Sequence, residues 1–171
     1  WDDTYGPAFS AEGQTPSGFG LSARFDGGQD AYTTDPMLNS WSPTEWTVEL
    51  AVKLDNLSGW QTMIGRDGSS HGENAADFYF QKNDENDRFR INVQTVGGRR
   101  YVLDADFTVT AGQWYYLAAV CDGDTLALYA DALDGAGPRL TNSLTLNPAN
   151  DNALAAGGFH WTVGRGWFNN D

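Results

Sequence analysis

The feature that most constrains this chain is an alternation of apolar and polar residues with period two, recurring from end to end in short runs closed by Gly, Asn and Asp. Extended backbone sends successive side chains to opposite faces, so such runs make half-buried strands, and nothing sustains the 3.6-residue period of an amphipathic helix. The runs fall at Gly20 to Phe25, Ala31 to Thr33, Glu45 to Leu54, Trp60 to Arg66, Asp77 to Lys82, Arg88 to Thr95, Arg99 to Leu103, Gln113 to Cys121, Thr125 to Asp131, Leu140 to Leu146 and Phe159 to Gly164. Asp122-Gly123-Asp124 is the clearest tight turn, and Gly97-Gly98 joins two further strands. The segment Asp67 to Ala76, rich in Ser, Gly and Asn, is expected to be an exposed, mobile loop. The pattern argues an all-β sandwich or barrel.

A chain of 171 residues, 40% of them hydrophobic, suits one domain with one core, and no repeat or linker marks a second. The formal net charge of −13 works against phosphate backbones and anionic lipid, so neither nucleic acid nor a membrane surface is an expected partner. Carboxylates gathered in turns suit a hard cation such as calcium, or simply a soluble surface. Cys121 stands alone, which excludes an intrachain disulfide and a cysteine-based zinc site; inside the apolar run Trp114 to Cys121 it reads as a small buried hydrophobe. That run is far shorter than the ~20 residues that span a bilayer. The chain opens at Trp1 without Met or a signal peptide, and is expected to be a processed or excised piece of an exported or cell-surface protein.

Within the meander Asp77 to Leu103, Phe78, Phe80, Phe89, Ile91 and Val93 alternate to one side, and Tyr79, Gln81, Arg88, Arg90, Asn92 and Gln94 to the other. The first side packs; the second faces water or a ligand. Sugars need flat rings for their C–H faces and fixed donors and acceptors for their hydroxyls, so Tyr79, Gln81, Arg90, Asn92 and Gln94 are the candidate ligand residues, with an ordinary solvated face as the alternative. Trp60, Trp161 and Trp167 are candidate platforms or edge packing.

Several segments in this order carry a resemblance: Ala23-Arg24-Phe25-Asp26-Gly27 with Tyr32, Trp46-Thr47-Val48-Glu49-Leu50, Gln113-Trp114-Tyr115-Tyr116-Leu117-Ala118, Leu126-Ala127-Leu128-Tyr129-Ala130-Asp131, and Thr162-Val163-Gly164. Together they resemble the laminin-G-like branch of the concanavalin-A-like lectin/glucanase jelly rolls, over roughly Leu21 to Gly166. The resemblance implies a two-sheet antiparallel β-sandwich acting as a non-catalytic glycan-binding or adhesive module. It also implies a structural calcium, with Asp26 and Asp30 at the matching positions and Asp67 with Glu73 as a second possibility. The family's pattern continues past Gly164 into a closing strand that this chain lacks, so a second polypeptide that completes the sandwich by strand addition is an expected partner beside glycan or polysaccharide.

Related jelly rolls include glycoside hydrolases and polysaccharide lyases, so an enzyme is the second reading. The Glu-x-Asp-x-x-Glu run such hydrolases place along one strand is absent. Glu49 with Asp55, or Asp104 with Asp106, are the remaining carboxylate pairs, and the latter read more simply as turn acids. A lyase would assemble His71, Tyr79, Arg90 and Gln94, but His71 falls in the expected loop and His160 at the start of a strand; no Gly-x-Ser-x-Gly nucleophile elbow is present.

Overall fold

The computed structural model describes residues 8–10, 22–26, 30–67, 76–133, 137–149 and 151–164. Two antiparallel sheets face each other across one core, a jelly-roll β-sandwich. The four-stranded sheet runs in the order β11 (Arg139–Thr145), β10 (Thr125–Asp131), β9 (Trp114–Asp122), β4 (Glu45–Lys53). The six-stranded sheet runs β3 (Ala31–Tyr32), β12 (Trp161–Val163), β5 (Gln61–Arg66), β6 (Phe78–Lys82), β7 (Phe89–Gln94), β8 (Arg100–Asp104). A separate ribbon pairs β1 (Ala8–Ser10) with β2 (Ser22–Arg24).

The alternation read from the sequence builds the core directly. Trp46, Tyr115, Leu117, Ala119, Leu126 and Leu128 point inward from one sheet and meet Phe78, Phe80, Phe89, Ile91 and Leu103 from the other. Phe78, Phe80, Phe89, Ile91, Leu117 and Leu128 are wholly buried, each worth ~1.5–3 kcal/mol of transfer free energy. Aromatic edges interlock: Phe78 lies edge-on to Trp46, and Phe89 to Tyr115. The β9–β10 hairpin turns at Gly123, whose φ of 91° suits glycine, while Asp122 Oδ1 accepts from the amides of Asp124 and Thr125 at 3.0 and 2.7 Å.

Two buried cations mark the ends of the six-stranded sheet on its core side. Arg66 donates to the carbonyls of Trp41, at 2.6 Å, and Asn39, lies over the Trp161 ring and pairs with Asp77 at 3.5 Å. Lys82 donates to the Leu57 carbonyl and to Asp87 at 2.9 Å. Each long apolar stem continues the core while its head finds partners at the rim.

The structure departs from the sequence reading in several places. Helix α1 (Pro36–Asn39) is a single turn, capped by Asp35 Oδ1 on the Met37 amide at 2.8 Å; four residues are too few to display a helical period. β1 also went unread. Asp67 and Ala76, expected at the ends of an exposed loop, are 3% and 4% exposed, because Asp67 is drawn down by the Tyr79 hydroxyl and Ala76 leads into the wholly buried Phe78. Residues 68–75, with His71 and Glu73, lie outside the described residues, as do 27–29 and 165–171, with Trp167 and the place of the expected missing strand. Among the described residues no helix is long and apolar enough to cross a membrane.

Candidate functional site

The side of the six-stranded sheet turned away from the core is a polar surface assembled by register. The hairpin closed at Gly97-Gly98, with Gly98 at φ 75°, sets Gln94 opposite Arg100, Asn92 opposite Val102 and Arg90 opposite Asp104. One row across the sheet reads Thr62, Gln81, Arg90, Asp104. The next reads Tyr32, Thr162, Gly65, Tyr79, Asn92, Val102, one residue from each strand. The candidates Tyr79, Gln81, Arg90, Asn92 and Gln94 therefore share this face on adjacent strands, though burial divides them.

Tyr79 and Gln81 are only 6% and 8% exposed, so the expectation that their side chains stand open to water or ligand is corrected. The cause is Gly65. A Cβ there would meet the Tyr79 ring at 3.2 Å and Thr162 Oγ1 at 3.0 Å, so the ring uses the space that a side chain would fill and sends its hydroxyl to Asp67. Arg90, Asn92 and Gln94 are half-buried and reachable. Asn92 Oδ1 is buried with no hydrogen-bond partner.

Arg90 is fixed from several sides. It donates from Nε and Nη2 to the two carboxylate oxygens of Asp104 at 2.6 and 2.9 Å, and from Nη2 to Glu85 at 3.3 Å. Its guanidinium lies 5.4 Å from the centre of the Trp60 ring, which is 37% exposed. The hydrogen bond to Asp104 raises the pKa of Arg90 against burial. Burial works to raise the pKa of Asp104 in turn, but Arg90, Asn86 and Asn83 hold it below the usual carboxylate range. Asp104 is thus a strand residue of the polar face, not the turn acid expected. Sequence reasoning missed the Arg90–Asp104 pair although the Gly97-Gly98 turn fixes the register that creates it.

The other carboxylates offered for catalysis are dispersed among partners. Asp106 takes both Nη atoms of Arg139 at 2.8 and 2.9 Å, and that hydrogen bond lowers its pKa. Asp55 pairs with Arg24 at 3.1 Å, and Glu49 accepts the Tyr116 hydroxyl. A glycosidase acid needs a raised pKa, whereas Asp104 and Asp106 are displaced downward. His160 Nδ1 sits against the Thr33 carbonyl and Asn39 beside β3, away from Arg90 and Gln94 in the strand order. Trp161 packs on Phe78 and Arg66, so it serves the interior rather than a platform. Cys121 is buried, which pushes its thiol pKa up.

For calcium, Asp30 carries the relevant observation: its Oδ2 is buried without a hydrogen-bond partner, a hard anionic oxygen of the kind Ca2+ takes. Asp26 is exposed and engaged in an interaction of its own. Among the described residues no group of three His, Cys, Asp or Glu gathers around a point.

Solved structures with this architecture include domain 4 of AbnA, a GH43 extracellular arabinanase from Geobacillus stearothermophilus, in complex with arabinotriose. It is 18% identical at a TM-score of 0.65, covering 97% of this chain and 70% of that one. The CBM40 of the Ruminococcus gnavus IT-sialidase, bound to alpha2,3 sialyllactose, is 14% identical at a TM-score of 0.60, covering 78% and 69%. The LG1-3 region of the laminin alpha2 chain is 12% identical at a TM-score of 0.59, covering 83% of this chain and 25% of that one. No curated protein sequence matches the chain. At these identities the likeness is one of fold. The family model described as the concanavalin A-like lectin/glucanases superfamily matches residues 26–169, and the chain belongs to that family.

Proposed function

We propose that this chain is a non-catalytic glycan-binding module of an exported or cell-surface protein, and that the polar face around Arg90, Asn92 and Gln94 is its binding surface. The observation that carries this reading is the Asn92 carbonyl oxygen, buried in the middle of the face without a partner. An unsatisfied buried acceptor costs ~1–3 kcal/mol, and a turn of the Asn92 amide toward the surface would present that oxygen to a sugar hydroxyl. Around it stand the pre-positioned fork of Arg90, the amide of Gln94, and the half-open Trp60 ring as apolar surface for the C–H face of a sugar. Structural neighbours include an arabinanase domain in complex with arabinotriose and a carbohydrate-binding module bound to sialyllactose, which supports a glycan as the ligand.

The test is affinity electrophoresis of the wild type and of Asn92→Ala against a panel of soluble polysaccharides, with product release followed in the same samples. Wild type is expected to be retarded by at least one glycan without cleaving it, and Asn92→Ala to bind about tenfold more weakly at unchanged or slightly higher stability. No retardation by any glycan overturns the reading, and released product moves it to the enzyme class.

A calcium ion held through Asp30, with Asp26 beside it, is a second element of the proposal. It would tie the start of the first strands together as a structural ion. Saturating Ca2+ is expected to stabilise the chain by about 2 kcal/mol, read as a rise in Tm that a chelator reverses and that Asp30→Asn abolishes.

A further inference from the structure

We propose that the polar face of the six-stranded sheet selects uncharged, polyhydroxylated sugars and discriminates against carboxylate-bearing ones, an inference that rests on the glycan-binding reading above. A carboxylated sugar needs an Arg or Lys whose charge is free to meet it. This chain has 10 Lys and Arg against 23 Asp and Glu, and several of the cations are committed to carboxylates of the chain itself. Arg24, Arg66, Lys82 and Arg139 are paired with Asp55, Asp77, Asp87 and Asp106.

The face itself follows the same rule. The planar fork of Arg90, the group best shaped for a sugar carboxylate, is already filled by Asp104 in the two-point geometry such a ligand would use, and Glu85 adds a second negative charge. Of the other cations on this face, Arg88 is half-buried and donates from Nη1 to the Ala105 carbonyl at 3.4 Å, and Arg100 is half-buried and has a partner of its own. What the face leaves available is acceptor capacity: the remaining lone pairs of Asp104 and Glu85, and beside them the partnerless Oδ1 of Asn92, which a turn of its amide would bring to the surface. Hydroxyls donate to such atoms. A carboxylate at neutral pH has no proton to give and meets like charge instead. Asp104 therefore acts as a specificity-determining residue, cancelling the charge of Arg90 while holding its remaining N–H groups in place.

Calorimetric titration decides the matter, with an uncharged arabinan and a xylo-oligosaccharide as one pair of probes and an oligogalacturonate and a sialylated lactose as the other. The wild type is expected to bind an uncharged probe at least about tenfold more tightly than either carboxylated one. That affinity should hold within about twofold between roughly 20 and 500 mM NaCl, because no net charge is neutralised on binding. Asp104→Asn, which releases Arg90, is expected to shrink the preference by about tenfold by admitting carboxylated probes. If that variant does not fold, the wild-type preference and its salt dependence decide alone. Tighter binding of a carboxylated probe that weakens with salt overturns this inference and leaves the glycan-binding reading intact. Absence of binding to all four probes overturns both.

Discussion

The four-stranded sheet turns Trp114, Tyr116, Val120, Tyr129 and Leu140 outward, whereas the six-stranded sheet turns Arg90, Asn92, Gln94, Arg100 and Asp104 outward around a buried Tyr79 and Gln81. One alternation produces both surfaces, yet their polar chemistry differs. On the four-stranded sheet two of the outward polar groups meet neighbours on the adjoining strand: Glu49 accepts the Tyr116 hydroxyl, and the Lys53 ammonium lies 5.6 Å from the centre of the Trp114 ring. Such pairs contribute ~0.2–1 kcal/mol each and need no further explanation. On the six-stranded sheet a bidentate ion pair is partly buried and an amide oxygen goes unpaired beside it. Groups held at that cost are the ones stability alone does not account for, and the proposed binding surface rests on them.

The comparison breaks if the polar face proves energetically idle. Asp104→Ala should cost about 2 kcal/mol in a urea titration, because it strands an Arg90 side chain that is only 17% exposed. The acid limb of the stability profile gives the same information by another route. Asp104 has its folded pKa below the unfolded value of about 3.9, so the pair's stabilisation is present above that pH and is lost as pH falls through the folded pKa. The variant's stability should therefore fall less steeply than the wild type's below about pH 4. Gly65→Ala should cost about 1 kcal/mol by crowding the Tyr79 ring against Thr162, and near-ultraviolet circular dichroism should report the displaced tyrosine. On the other sheet, Tyr116→Phe should change stability by no more than about 0.5 kcal/mol and leave glycan affinity unaltered. An effect there as large as that of Asp104→Ala would show that the contrast between the faces had been drawn wrongly.

Strand positions were legible because side-chain alternation and turn chemistry are local. Thr125–Asp131 has the bounds expected from the sequence, and the Asp122-Gly123-Asp124 turn sits where the sequence placed it. The sharing of one face by Tyr79, Gln81, Arg90, Asn92 and Gln94 was equally readable from period two. Their accessibility was not, since it depends on Gly65, a residue on another strand whose missing side chain lets Tyr79 lie down. The Asp104 partnership needed pairing register, which counting outward from Gly97-Gly98 supplies once that turn is trusted as a two-sided hinge. The inward course of Arg66 was hidden for another reason: the carbonyls that receive it belong to Asn39, the last residue of a helical turn too short to leave a periodic trace, and to Trp41 just after it.

The position of β12 between β3 and β5 has a temporal consequence. Thr162 Oγ1 donates to the Gly65 carbonyl across 97 residues of chain, and the same strand joins Tyr32 to the sheet. During synthesis, β5 through β8 can form a meander soon after they emerge, but the row that crosses the whole sheet has to wait about three to twelve seconds more for its missing strand, at ~5–20 residues per second. Until then the open edge of β5 is a template for any extended segment that meets it first. Folding of this chain should accordingly be slow and sensitive to concentration, as for other topologies dominated by distant pairings, with the edge of β5 as the place where a nascent molecule is captured by its neighbour.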